Sequence, residues 1–178
     1  YLTQIASLEM RLGNTESALK TGEELVASAP GNSEHYRFFA DLCFRVGETE
    51  RGLEVLRRNV RSNPNDDEAL LYLARTLADE FETDEAIELY WRGFDLAKDI
   101  DGKSAVINPL AELYLRINRF DALIDRLEMT GREQNKPRDG LLWAAAAHQA
   151  AGDLGMAEQR LEQLARHDSR DPKLLEQL

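Results

Sequence analysis

Chemistry-bearing residues are scarce in this chain. It holds one cysteine, Cys43, and three histidines, His35, His148 and His167. A single cysteine excludes an internal disulfide and leaves a cysteine-based metal site without ligands. The histidines do not share a helix face, so the convergent geometry of a metal site is not expected. No window is apolar enough over a sufficient length to cross a bilayer. The first residues, YLTQIASLEMRLG, lack the basic start and long apolar core of a signal peptide. Strand-like alternation is missing throughout. So are a phosphate-cradling glycine loop and a supported Ser/His/Asp arrangement, and neither an enzyme nor a cofactor is expected. The chain does not begin with methionine and reads as a segment of something longer.

What is present is helical periodicity with an acidic balance. The 178 residues are 43% hydrophobic and 31% charged, which suits a folded unit or a run of repeats. The net charge is -11. A net negative field repels phosphate, so nucleic acid is not an expected partner.

One spacing organises the chain. Ala6, Ala40 and Ala74 are each 34 residues apart, as are Leu2, Tyr36 and Leu70, and Ala18, Gly52 and Ala86. Gly13 pairs with Gly47, and Pro30 with Pro64, at the same interval. Each period holds two helix-like runs, expected over 2–12 and 15–29, then 33–46 and 49–62. Gly13 and Gly47 end the first run of each pair, because glycine tolerates the left-handed conformation past a helix end. Asn14 or Thr15 is a cap for the second run. The third pair starts with Asn65 and Glu68 spaced as a capping box. It turns near Phe81, which replaces the glycine, and runs to about Lys98.

The register then slips, since Ala111 follows Ala74 by 37 residues. Residues 99–103 read as a polar connection. Pro109 implies a helix that starts late, with Asn108 as cap, or one that is kinked. A partner helix begins at Phe120, and residues 130–138 read as a looser connection with Gly131 and Pro137 as breakers. The period returns with Ala145 and Gly152. An alanine-rich run over 141–151 favours helix, and a partner is expected over 154–166. Asp171 and Pro172 read as a cap and first position of an eleventh helix carrying Leu174, Leu175 and Leu178. The units are therefore 1–32, 33–66, 67–102, 103–138 and 139–171, with a terminal helix over 172–178.

With these residues in place, the chain resembles the tetratricopeptide repeat family, whose period is 34 residues. The match rests on Ala6, Gly13, Ala18 and Pro30; on Tyr36, Ala40, Gly47, Gly52 and Pro64; on Leu70, Leu73, Ala74, Ala86 and Tyr90; and on Ala145, Gly152 and Ala157. The fourth unit is weakest, with Leu123 where the family prefers a small residue. The resemblance implies an all-α, right-handed superhelical solenoid of about five helix pairs plus a C-terminal helix. Neighbouring pairs bury a continuous core that no pair buries alone.

The resemblance also implies a non-catalytic scaffold that binds a peptide or protein partner in a concave groove lined by the first helix of each pair. Helical spacing places Thr3, Ser7 and Arg11 there, then Arg37, Phe38, Asp41 and Arg45. It adds Tyr72, Arg75 and Asp79, then Asn108, Glu112 and Arg116, and finally Trp143 and Gln149. The recurring arginines suit an acidic or carboxylate-bearing peptide, with Phe38, Tyr72 and Trp143 as anchors. The competing reading is a solvated network in which Asp41, Asp79 and Glu112 pair with those arginines. Thr3, Ser7 and Phe38 stand where the family's chaperone-tail clamp has Lys and Asn, so that ligand is not expected. Two other roles are weighed: an architectural segment that associates with copies of itself as a homo-oligomer, and a regulatory arm of a larger protein. No membrane contact by this segment is expected. Cys43 reads as a small buried hydrophobe, His148 as a packed or groove histidine, and Arg51, Arg57, Arg58 and Arg61 as a solvated outer face.

Overall fold

Small residues at a fixed interval let helices meet closely, and the large apolar residues between them fill what remains. The computed structural model describes residues 1–168, and among these it holds ten helices and no strand. They are α1 (Leu2–Arg11), α2 (Thr15–Ser28), α3 (Ser33–Arg45), α4 (Thr49–Ser62), α5 (Asp67–Asp79), α6 (Thr83–Leu96), α7 (Ile100–Arg116), α8 (Phe120–Glu133), α9 (Pro137–Ala150) and α10 (Leu154–Asp168). The eleventh helix expected over 172–178, with its Asp171–Pro172 start, lies outside the described residues. The helices fall into two compact parts, one spanning Tyr1–Arg92 and the other running from Gly93 onward.

In the first part, α1 packs on α2, α2 on α3, α3 on α4 and α4 on α5. Ala6, Ala18, Ala40, Ala74 and Ala86 are all fully buried. Gly52 shows why the slot is small: a Cβ there would lie 2.3 Å from the Phe44 ring. Gly22 makes the same room for Phe39, whose ring would stand 2.5 Å from an added Cβ. Phe39, Leu70, Leu73 and Leu77 fill the core, each contributing about 1.5–3 kcal/mol of burial. One polar knot forms around buried Asn59, with its other members half-buried. The Ser33 hydroxyl donates to the Asp66 carboxylate and lies 3.0 Å from the Asn59 carboxamide oxygen, to which Asn63 donates at 2.8 Å. Asp66 also caps α5 by accepting from the Ala69 amide at 3.0 Å. The cap is therefore Asp66, one residue later than the expected Asn65.

All five first-of-pair helices end alike. Gly13, Gly47, Phe81, Asn118 and Gly152 have φ between 56° and 81°. In each case the next amide reaches five residues back at 2.9 Å: Asn14 to Glu9, Glu48 to Cys43, Glu82 to Leu77, Arg119 to Tyr114 and Asp153 to His148. This is the Schellman ending, which satisfies helix carbonyls otherwise left open.

The second part corrects three expectations. Helix α7 starts at Ile100, not at Pro109, because Asp99 caps it by accepting from the Gly102 amide at 2.7 Å. The inserted residues become helix, and Pro109 sits inside it. Proline removes the bond to the carbonyl four residues back. That residue is Ala105, which is exposed, so water can take the freed carbonyl. Nor is 130–138 a loose connection: α8 runs to Glu133 and α9 starts at Pro137. Gly131 is not a breaker but a contact. A Cβ on it would lie 2.6 Å from the Gly140 Cα, so two glycines let α8 and α9 cross at backbone distance.

Candidate functional site

In the first part, α3 and α5 present a joined polar face. Arg37 and Asp41 lie one turn apart on α3, as Glu68 and Tyr72 do on α5. The Arg37 guanidinium meets the Glu68 carboxylate at 3.3 Å, and the Tyr72 hydroxyl donates to Asp41 at 2.9 Å. Arg37 also lies 5.9 Å from the Tyr72 ring centroid, a cation–π contact. The face is open to water unequally. Arg37 is 30% exposed and Glu68 74%. Partial burial pushes the Tyr72 hydroxyl up to about 12, helped by its bond to Asp41 and that carboxylate's charge, against Arg37. It stays a protonated donor at neutral pH.

Phe38 is half-buried beside this face, while Arg11, Arg45 and Arg75 are exposed. Among the described residues no ion pair holds Arg11, Arg45 or Arg75. Arg37 is paired within the face, through Glu68 and not through Asp41, Asp79 or Glu112. Glu68 enters the sequence reading as the capping-box partner of Asn65. Its spacing of four from Tyr72 was the signal that it shares the tyrosine's face.

In the second part, Trp143 is not a surface anchor. It is 4% exposed, with the Phe94 ring edge-on at 5.0 Å and the Lys103 ammonium 5.0 Å from its own centroid. Trp143 precedes its small residue by two, as Phe38 and Tyr72 do, so its position in the repeat is the same. The difference is Lys103, brought in by the extra turn of α7. Gln149 is exposed as expected. With Ser104, Asn108 and Glu112 of α7 and Ala146 and Ala150 of α9, it lines a cleft of about 450 Å³. Arg116 is exposed one turn beyond Glu112 and is not among the residues lining that cleft.

The outer basic stretch is paired rather than free. Arg57 makes three contacts with Glu85, at 2.6, 2.9 and 3.2 Å. Arg58 meets Glu23 at 2.9 Å, Arg51 meets Glu48 at 3.0 Å and Arg61 meets Glu54 at 2.5 Å. Cys43 is fully buried, and burial pushes its thiol up to about 11, which leaves it protonated and unreactive. His148 is buried against the Phe120 ring at 5.3 Å. Among the described residues no group of three His, Cys, Asp or Glu is placed to hold a metal ion. No described helix is long and apolar enough to cross a membrane.

No protein-family model matches the chain. No curated protein matches it either. Solved structures do. A crystal structure of MamA is 16% identical, covers 95% of this chain and 97% of its own, and superposes with a TM-score of 0.52. The nearly identical TPR-like repeats of a putative kinesin light chain from Podospora anserina are 18% identical, with coverages of 93% and 92% and a TM-score of 0.51. This chain has the tetratricopeptide-like repeat fold. Pseudomonas aeruginosa PilF agrees, at 17% identity, coverages of 93% and 74% and a TM-score of 0.52. At these identities the likeness is one of fold alone.

Proposed function

We propose that this chain is a non-catalytic scaffold that binds an extended peptide or protein segment through the faces of its first-of-pair helices. The observation that carries the reading is the α3–α5 face. Arg37, Asp41, Glu68 and Tyr72 hold each other in place, so a guanidinium with N–H donors to spare and an aromatic ring are pre-positioned at the face. An acidic side chain can replace Glu68 on Arg37 at small cost, because an ion pair with one partner 74% exposed contributes about 0–1 kcal/mol. Arg75 and Phe38 extend the surface with a charge and an apolar edge.

The test sets the parent chain beside an Arg37→Glu/Arg75→Glu chain in affinity capture, with helicity and melting checked in both. A partner retained by the parent and lost by the variant supports the reading. A partner held equally by both moves the interface off this face.

A second reading has its own observation. Tyr1, Leu8 and Leu12 are exposed apolar residues at and along α1. Self-association through that helix would make the chain architectural. Sedimentation equilibrium across a hundredfold concentration range tests it, and a monomer throughout rejects it.

A further inference from the structure

The cleft between α7 and α9 differs in chemistry from the α3–α5 face. Its α7 side carries Ser104, Asn108 and Glu112, four residues apart and therefore stacked on one stripe. Its α9 side is Ala146, Gln149 and Ala150. No lysine or arginine lines it, and its one charge is the exposed carboxylate of Glu112. We infer that this cleft binds a short stretch of extended peptide bearing a basic side chain, with Glu112 receiving the ammonium or guanidinium.

Length, floor and polarity argue for that occupant. From Ser104 to Glu112 the stripe runs about 12 Å at the helical rise of ~1.5 Å per residue, which matches three to four residues of extended chain. The alanines leave the floor low, so main chain can approach. Asn108 and Gln149 stand on opposite sides, and each carboxamide offers both a donor and an acceptor, as a peptide unit requires. Arg116, one turn beyond Glu112, does not line the cleft, so the charge a ligand meets there is the carboxylate, which favours a cation over an acid. The inference rests on the peptide-binding reading and deepens it: the two parts of the chain prefer opposite charge.

The experiment titrates the whole ¹⁵N-labelled chain with acetyl-Ala-Lys-Ala-Ala-amide, its norleucine and glutamate counterparts, and methylammonium. The side-chain amides of Asn108 and Gln149 are the reporters. The lysine peptide should shift them saturably and about threefold more tightly than the norleucine peptide, a gap the size of one exposed ion pair. Glu112→Gln should erase that gap, and Gln149→Ala should weaken both peptides alike. Equal binding of the lysine and norleucine peptides overturns the inference, as does a gap that survives Glu112→Gln. Methylammonium binding as tightly as the lysine peptide removes the peptide as the occupant. A glutamate peptide that shifts α3 and α5 while the lysine peptide leaves this cleft unmoved overturns the inference alone. Failure of every peptide at both faces overturns the peptide-binding reading with it.

Discussion

The Lys103 ammonium donates to the Phe94 carbonyl at 2.8 Å and sits 3.8 Å from the centre of the same residue's ring. Phe94 lies in the last turn of α6, where carbonyls lack intrahelical partners and the dipole is negative. Lys103 is therefore a cap delivered from the first turn of the next helix. Burial pushes its ammonium below the ordinary lysine range, and the carboxylates of Asp95 and Asp139 oppose that, with Lys136 adding to the fall. Lys103→Met keeps the stem and removes the bond and the cation–π contact. It should lower stability by about 1–2 kcal/mol in urea unfolding. Trp143 fluorescence, quenched or shifted in the variant, reports the same loss locally.

His148 gives a pH dependence with a fixed sign. Neither ring nitrogen has a hydrogen-bond partner, and the nearest carboxylate oxygen, on Asp153, is 3.9 Å away. Burial, first, and then Arg160 lower its pKa, while Asp153, Asp121 and Glu128 raise it. The folded state thus takes up a proton less readily than the unfolded chain. Stability is then lost as pH falls below the unfolded value of ~6.5, until the lowered folded value is passed. His148→Phe should narrow the difference in melting temperature between pH 7.5 and pH 5 relative to the parent. An unchanged difference assigns the acid sensitivity to other groups.

Phe81 holds a φ of 64° at the position where three other turns have glycine. A left-handed conformation costs a non-glycine residue about 1–2 kcal/mol, part of which glycine returns through its freer unfolded state. Phe81 is 80% exposed, so little burial is lost. Phe81→Gly should raise stability by about 0.5–1 kcal/mol, and Phe81→Ala should gain less.

Gly131 and Gly140 make the opposite case. Gly131→Ala places a methyl 2.6 Å from the Gly140 Cα, where only backbone can yield. Overpacking of this kind costs about 1–3 kcal/mol. Gly155 in α10 is the control, since its Cβ would meet nothing nearer than the Asp153 carboxylate at 3.8 Å. Gly155→Ala should be neutral or stabilising by up to ~1 kcal/mol in the same urea series.

These cases show what was legible in the sequence. The hairpins of α1–α6 follow from the 34-residue spacing, because the slot at Ala6, Ala18, Ala40 or Gly52 admits only a small side chain and so marks itself in the sequence. Gly131 was misread because a lone glycine does not say whether it serves a turn or a close contact. Pro109 leaves a late start and an interior position both open, because its cost depends on whether the carbonyl it frees, that of Ala105, faces water; the structure takes the interior position. Trp143 was placed at the surface because its repeat position is that of Phe38 and Tyr72; its burial depends on Lys103 and Phe94, which repeat spacing does not pair with it. Of the candidate site, half-buried Arg37 and Tyr72 and exposed Asp41 were readable from helical spacing. Their pairing with one another and with Glu68 was not, since it depends on how α3 and α5 lie side by side.

The shared endings of the five first-of-pair helices carry a consequence for how such a chain is recognised. The same backbone bond closes on glycine three times, on phenylalanine once and on asparagine once, and it closes again on Asn135 at the end of α8, where the Lys136 amide reaches the Gly131 carbonyl at 2.7 Å. A signature written in residue letters, demanding glycine there, finds three hairpins and breaks the array at its middle. A signature written in the backbone's own closure finds all five, and the end of α8 with them.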